Sequence, residues 1–305
     1  MYRNKKIIAV SPVGRQRTMK VLFKEILKHR YIVDEYHLWV NTEVPSDLEF
    51  IHTFAAQHKD FVKLNYGCEP LDPKQMGRAH NIRRFFNYCT ESNTFYYRID
   101  DDILFIENGV FEKLADYKFE NPETLLTYPL IINNTWCTEF LRRAGSYEIP
   151  ECKIHSTLWY EDFNQAKEKI KNDPDTMTKM SYELHVKKYM SESNFCSPLY
   201  WNNPIFAYNI LTNALDSIKS NTFQNLFITN KILTNYEPVS INFIMWCGED
   251  FAKFNGLVRS VDEEPWLTMF YPLKHNLYNA VVGNTRVIHY AYWPQRPYLD
   301  TTVIS

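Results

Sequence analysis

"FYYRIDDDILFI", Phe95 to Ile106, sets acids at the end of an apolar run and orients the whole chain around them. Three consecutive aspartates, Asp100, Asp101 and Asp102, interrupt a run that is otherwise aromatic and aliphatic. Two carboxylates about 4 Å apart at an effective dielectric near 20 repel by about 4 kcal/mol. Burying them unpaired is too costly to be casual. The acids therefore need water or cations, and the apolar residues on both sides weigh against plain solvation. "TFYYRID" reads as a strand, and open α/β sheets bind ligands at the carboxyl ends of their strands. In an extended chain successive side chains alternate faces, so Asp100 and Asp102 are expected on one side and Asp101 on the other. The outer pair, with Cα atoms roughly 6.5–7 Å apart, can share one hard divalent cation. Mg²⁺ or Mn²⁺ accepts oxygen ligands and keeps positions open for phosphate oxygens.

Upstream, "KKIIAV" reads as a first buried strand and "SPVGRQR" as the loop after it. Met19, Leu22, Phe23, Ile26 and Leu27 recur at helical spacing. "EYHLWVNT" and "FVKLNY" (61–66) are further strands, with a polar helix over roughly 46–58 between them. A helix over Met76 to Cys89 precedes "TFYYRID". The first hundred residues thus alternate βαβαβαβ, which predicts a parallel, doubly wound sheet with helices on both faces. Downstream, "NGVFEKLADY" is a short helix, "LLTYPLIIN" (125–133) and "VSINFIMW" (239–246) are strands, and "NTRVIHYAYWPQRPYL" is strand-like and then irregular. The region of about 145–240 is polar, helical and interrupted, and reads as an insertion. With no linker or repeat, one domain over 1–305 is expected, with halves 1–103 and 104–305.

The chain has 305 residues, 45% of them hydrophobic, which excludes a disordered protein. A formal charge of −2 gives no global basic field for a polyanion. None of the six cysteines, at 68, 89, 137, 152, 196 and 247, has CxxC spacing, which argues against structural zinc and for reduced thiols in a cytoplasmic setting. No window is apolar enough for a transmembrane helix, and Ile7 to Val10 is too short for a signal segment.

Two other stretches matter. In "IMWCGEDFAKF", Glu249 and Asp250 follow an apolar strand at a glycine, which suits a catalytic acid or, equally, a helix N-terminus favoured by the dipole. In "TRVIHYAYWPQRP", His289 sits in an apolar strand, where a core role is the commoner one but imidazole is an acceptable Mn²⁺ ligand. Arg296, seven residues on, is a phosphate clamp candidate.

This set resembles the GT-A fold glycosyltransferase superfamily. "RIDDDI" looks like its Asp-x-Asp motif, "CGEDF" like the Glu-Asp motif of inverting members, and "VIHYAYWPQRP" like the C-terminal His segment. The resemblance implies a GT-A-like, mostly parallel Rossmann-type sheet flanked by helices. It implies Asp100, Asp102 and His289 on the metal, with Asp100 or Asp101 also serving the nucleotide. It implies Asp250 as general base with Glu249 orienting or backing it up. Ser11, Gly14 and Arg15 would line the nucleoside, with Gly77, Arg78 and Arg296 approaching the nucleotide. The aromatic residues around Trp201, Tyr292 and Trp293 would stack on sugar, although core packing is the commoner role for such rings. Arg83 and Arg84 read more economically as a solvated helix face.

The implied activity is metal-dependent transfer of a sugar from a nucleotide-diphosphate sugar to a hydroxyl of a glycan or glycoconjugate. A hydroxylated DNA base is a further acceptor class, which the net charge does not favour. Two rivals share the sheet: a nucleotidyltransferase, which would favour a more glycine-rich first loop than "SPVGRQR", and a non-catalytic carbohydrate-binding or assembly protein.

Overall fold

The computed structural model describes residues 1–66, 82–146, 201, 203–234, 237–258 and 263–302. Its strands are β1 (Lys6–Val13), β2 (Glu35–Val40), β3 (Val62–Asn65), β4 (Thr94–Ile99), β5 (Ile103–Ile106), β6 (Thr124–Ile132), β7 (Lys231–Ile232), β8 (Phe243–Cys247) and β9 (Tyr278–His289). They form one nine-stranded sheet in the order β3-β2-β1-β4-β8-β6-β9-β5, with β7 also paired to β9. β1 pairs in parallel with β2 and β4, and β2 with β3. β8 is antiparallel to both β4 and β6, and β9 is parallel to β6. β5 and β7 run antiparallel to β9. Six strands (β1, β2, β3, β4, β6 and β9) therefore point one way. The expected mostly parallel α/β sheet is the fold found.

The helices are α1 (Gln16–Lys28), α2 (Pro45–Gln57), α3 (Val110–Glu120), α4 (Thr135–Arg143), α5 (Pro204–Lys219), α6 (Gly248–Ala252), α7 (Tyr271–His275) and α8 (Arg296–Thr302). A helical run of Glu263–Pro265 and a π turn, Trp266–Phe270, leads into α7. The apolar period read for α1 is its core face: Met19, Leu22, Phe23 and Ile26 are all buried. Asn134 and Asn203 cap α4 and α5 by accepting hydrogen bonds from first-turn amides.

Adjacent tyrosines on β4 show how both faces are covered. Tyr97 turns to Phe111 of α3, and its hydroxyl donates to the Phe111 carbonyl at 2.6 Å. Tyr96 stacks on Trp246 of β8 on the other face, where Phe86 and Phe251 pack too.

Several boundaries differ from expectation. β1 continues through Ser11, Pro12 and Val13, which read as loop. Its ladder with β4 ends at Val10, so the missing N–H of Pro12 falls where only β2 is paired. β8 starts at Phe243 because the Ile241 amide faces Glu264 instead of a strand. The segment before β4 is a 3₁₀ helix over Arg83–Tyr88, and residues 76–81 of the expected helix lie outside the described residues, as does most of 145–240. The short β5 and β7 were not expected. Among the described residues no helix is long and apolar enough to cross a membrane.

Candidate active site

Because β1, β4, β6 and β9 point the same way, their carboxyl ends meet at one edge of the sheet. Gly14 and Arg15 follow β1, the three aspartates follow β4, Asn133 follows β6, and His289 ends β9. The antiparallel β8 contributes its start, so Asn242 joins the same group; its carbonyl accepts from the Asp100 amide at 2.9 Å. β4 stops at Ile99, and the Ile103 amide closes a turn on the Asp100 carbonyl at 3.1 Å. The aspartates thus lie in a tight turn. The alternation expected of a strand does not apply, and each acid has its own partners.

Asp100 accepts from Arg98 Nε at 3.0 Å and from Asn242 Nδ2 at 3.2 Å. Arg98 in turn donates from Nη1 to Glu263 at 3.1 Å. Asp101 accepts from the Gly14 amide at 3.0 Å and from Arg15 through Nε at 2.8 Å and through Nη2. The middle acid therefore holds the β1–α1 loop, and its cation is Arg15. Position 14 needs glycine for this close approach, since a Cβ there would lie 2.9 Å from the Asn41 carbonyl oxygen. Asp102, 1% exposed, meets three cationic or imidazole groups. Its Oδ2 faces Arg15 Nη1 at 3.1 Å and accepts from Arg296 Nη2 at 3.0 Å, and its Oδ1 lies 3.6 Å from His289 Nε2.

Burial raises the affinity of all three acids for a proton, and the partners decide the outcome. At Asp102, burial is outweighed by His289, Arg15 and Arg296, and the acid lies well below the usual carboxylate range. At Asp100, burial and then the Asp102 charge prevail over Arg98, and the acid lies above that range. At Asp101, burial prevails over Arg15, again upward.

Two atoms bear on a divalent cation. Asp102 Oδ1 is buried with no hydrogen-bond partner. His289 Nδ1 faces the Asn133 carbonyl at 3.1 Å, and a carbonyl only accepts, so Nδ1 carries a hydrogen and Nε2 is the nitrogen available to a cation. A carbonyl that accepts from the far ring nitrogen is the usual support of a metal-binding imidazole. Two ligands each roughly 2.1 Å from one cation lie about 3.0–3.5 Å apart, close to the Oδ1–Nε2 separation of 3.6 Å. Asp102 and His289 fit a cation as a pair. Asp100, expected as a third ligand, accepts from Arg98 at Oδ1 and from Asn242 at Oδ2. Among the described residues no group of three or more His, Cys, Asp or Glu is arranged to hold a metal ion.

The expected catalytic pair is elsewhere. Cys247 pairs with Phe95 and Phe243 with Ile99, so α6 leaves β8 at the amino end of β4. Five residues of strand, about 16 Å, separate that end from Asp100. There Glu249 binds Lys5 at 2.5 Å and the Asn93 amide at 2.7 Å. Asp250 pairs with Lys118 at 2.6 Å and Lys253 at 2.7 Å. These acids line a cavity of about 280 Å³ with Lys5, Phe95, Lys118 and Cys247, apart from the aspartate turn. Glu249 and Asp250, expected as catalytic groups, are ion-paired acids in the first turn of α6 at the opposite end of β4. Ser11, expected to line the nucleoside, is fully buried in β1 and accepts from the Tyr36 hydroxyl at 2.9 Å. Gly77 and Arg78 lie outside the described residues.

The acids at the aspartate edge that sequence reading passed over are Glu263 and Glu264. Glu263 reaches Asp100 through Arg98. Glu264 contacts the Ser240 hydroxyl at 3.5 Å and the Ile241 amide at 3.4 Å. Ser240 also accepts from the Tyr292 hydroxyl at 3.3 Å, and the Tyr292 ring sits edge-on to His289, centroids 5.0 Å apart. The available signal was "DEEPW", a second acidic pair entering an apolar helical run. Trp201 and Trp293 continue this aromatic group outward, with Trp293 exposed.

No family model matches the chain, and no curated protein sequence matches it. Similar solved structures include glucosyl-3-phosphoglycerate synthase from Mycobacterium tuberculosis in complex with Mn²⁺, UDP and glucosyl-3-phosphoglycerate, at 16% identity over 42% of this chain and 44% of that one, with a TM-score of 0.32. The same protein with phosphoglyceric acid gives the same values. With Mn²⁺ and UDP-glucose the identity is 13% at the same coverage and TM-score. The chain spans less than half the length of these proteins, and the candidate site rests on its own geometry.

Proposed function

We propose that the chain is a metal-dependent glycosyltransferase that moves a sugar from a nucleotide-diphosphate sugar to a hydroxyl of a glycan or glycoconjugate. The observation that carries this reading is Asp102: a fully buried carboxylate at the carboxyl edge of the sheet, one oxygen unpartnered beside His289 and the other held by two arginines. A bound Mn²⁺ or Mg²⁺, held by Asp102 and His289, would neutralise charge growing on a leaving diphosphate. Arg15 and Arg296, each about one-third exposed, present cationic faces to the same phosphates. Asp101 fixes the loop that carries Arg15, which limits the reorganisation needed during reaction. The base is assigned to the pair at the start of the helical run: Glu264 takes the proton of the acceptor hydroxyl at a carboxylate oxygen, and Glu263, held by Arg98, orients the acceptor. The contacts of Glu264 to Ser240 and Ile241, at 3.4–3.5 Å, are long enough to be given up to a substrate.

The test is incubation with UDP-, GDP- and deoxythymidine-diphosphate sugars and Mn²⁺. Nucleoside diphosphate is expected as product, and Asp102→Asn is expected to lower its release by about 10³-fold. Release of pyrophosphate would identify a nucleotidyltransferase instead. Full turnover by Asp102→Asn or in EDTA would remove the metal role.

A further inference from the structure

Asp102 and its arginines divide the labour unequally. Arg15 has two acceptors, Asp101 and Asp102, and Asp101 also fixes the adjacent Gly14 amide. Arg296 has one, Asp102, at 3.0 Å. Its Nε is buried and has no partner, although the guanidinium is about one-third exposed. The helix that bears it is anchored independently: Asp300 of α8 pairs with Arg17 of α1 at 3.0 Å and accepts from the Tyr290 hydroxyl at 2.8 Å. Arg296 can thus change partner without α8 moving, whereas Arg15 is held on two sides.

We infer that Arg296 is an exchangeable counter-ion that occupies Asp102 until a divalent cation and a diphosphate arrive together. This rests on the metal role proposed above. A cation between Asp102 Oδ1 and His289 Nε2 would share one carboxylate with the Arg296 guanidinium, and the two like charges disfavour each other. A diphosphate reverses the balance by offering Arg296 new oxygens. Loading of cation and diphosphate is therefore mutually favourable, and by linkage each tightens the other by the same factor. Arg296 acts here as a positioning residue for metal loading, separate from any role in turnover.

The experiment is Mn²⁺ titration of the full chain, with free Mn²⁺ read by electron paramagnetic resonance, without and with inorganic pyrophosphate at fixed free concentration. Arg296→Gln is expected to bind Mn²⁺ about ten-fold more tightly than wild type when pyrophosphate is absent, and to show a smaller tightening when it is added. Arg296→Lys, which keeps the charge, is expected to stay within about two-fold of wild type without pyrophosphate. Asp102→Asn is expected to lose the Mn²⁺ site. Circular dichroism checks that each variant is folded. Equal or weaker Mn²⁺ binding by Arg296→Gln overturns the inference, as does ten-fold tightening in the lysine variant or binding that survives Asp102→Asn. Sugar transfer by the wild-type chain without tightening in Arg296→Gln sinks the exchange alone. Tightening in Arg296→Gln with no sugar transfer by the wild-type chain sinks the glycosyltransferase reading alone.

Discussion

The two ends of β4 carry acids that look alike in sequence and differ in what surrounds them. At the amino end, Glu249 and Asp250 follow an apolar strand, and lysines 5, 118 and 253 answer them. At the carboxyl end, Asp100, Asp101 and Asp102 also follow an apolar strand. There the countercharges are arginines, one carboxylate oxygen is left unpartnered, and a histidine faces it. Glu249 Oε2 and Asp102 Oδ1 are both buried without a hydrogen-bond partner, but only Asp102 faces an imidazole from inside a ring of arginines, which suits it to a ligand. Motif spelling alone does not separate the two cases; direction along the sheet does.

Catalysis should separate the two ends of β4 most strongly. Glu264→Gln is expected to reduce sugar transfer by about 10²–10⁴-fold, and Asp250→Asn to leave it within about two-fold, measured as acceptor glycosylation. The reverse ranking would restore Asp250 as the base and require the amino end to reach the donor. Folding stability should separate them in the opposite sense. Lys118 is 5% exposed in its side chain, so removing the Asp250 charge strands a buried ammonium. Asp250→Asn should then cost about 3 kcal/mol in denaturant unfolding. A loss below 1 kcal/mol would mean that the Pro122 and Thr124 carbonyls, to which Lys118 also donates, suffice.

The smallest effect concerns Glu249. Burial pushes its carboxyl up, but Lys5 and the Asn93 amide prevail and hold it at about 2. A folded value below the unfolded one contributes stability at neutral pH that fades as pH falls from about 5 towards 2. The side chain is more than one-third exposed, which limits the contribution to less than about 1 kcal/mol. The stability gap between wild type and Glu249→Gln should therefore close across that acid range, as read from urea unfolding at stepped pH. A gap that stays constant would locate the effect in packing.

Much of the fold was legible because its signals are local. The α1 stripe from Met19 to Ile26 and the buried runs of β4 and β6 report their periods within a few residues. The edge of the sheet where Asp100 to Asp102 sit followed from the βα alternation. Non-local facts were hidden. That β8 runs backwards between β4 and β6 depends on pairings far apart in sequence, and this reversal sends "GED" away from the site and brings "DEEPW" towards it. The turn at Asp100 likewise cancelled the alternation inferred for a strand, since the Ile103 amide bonds back to the Asp100 carbonyl. Ser11 was misplaced because proline normally signals a loop, and only the end of the β1–β4 ladder at Val10 shows why it can stay in the strand.

The partners of the aspartate turn have a consequence for the order of assembly. Arg15 reaches Asp101 across 86 positions of chain, and Arg296 reaches Asp102 across 194. Contacts so distant in sequence form late, because loop closure must come before they repay it. During synthesis the three acids emerge long before the last strand and helix that neutralise one of them. A ribosome-bound chain ending before β9 would carry the parallel β1–β4 sheet with Asp102 still lacking His289 and Arg296, so competence for cation binding would mark completion of the whole fold.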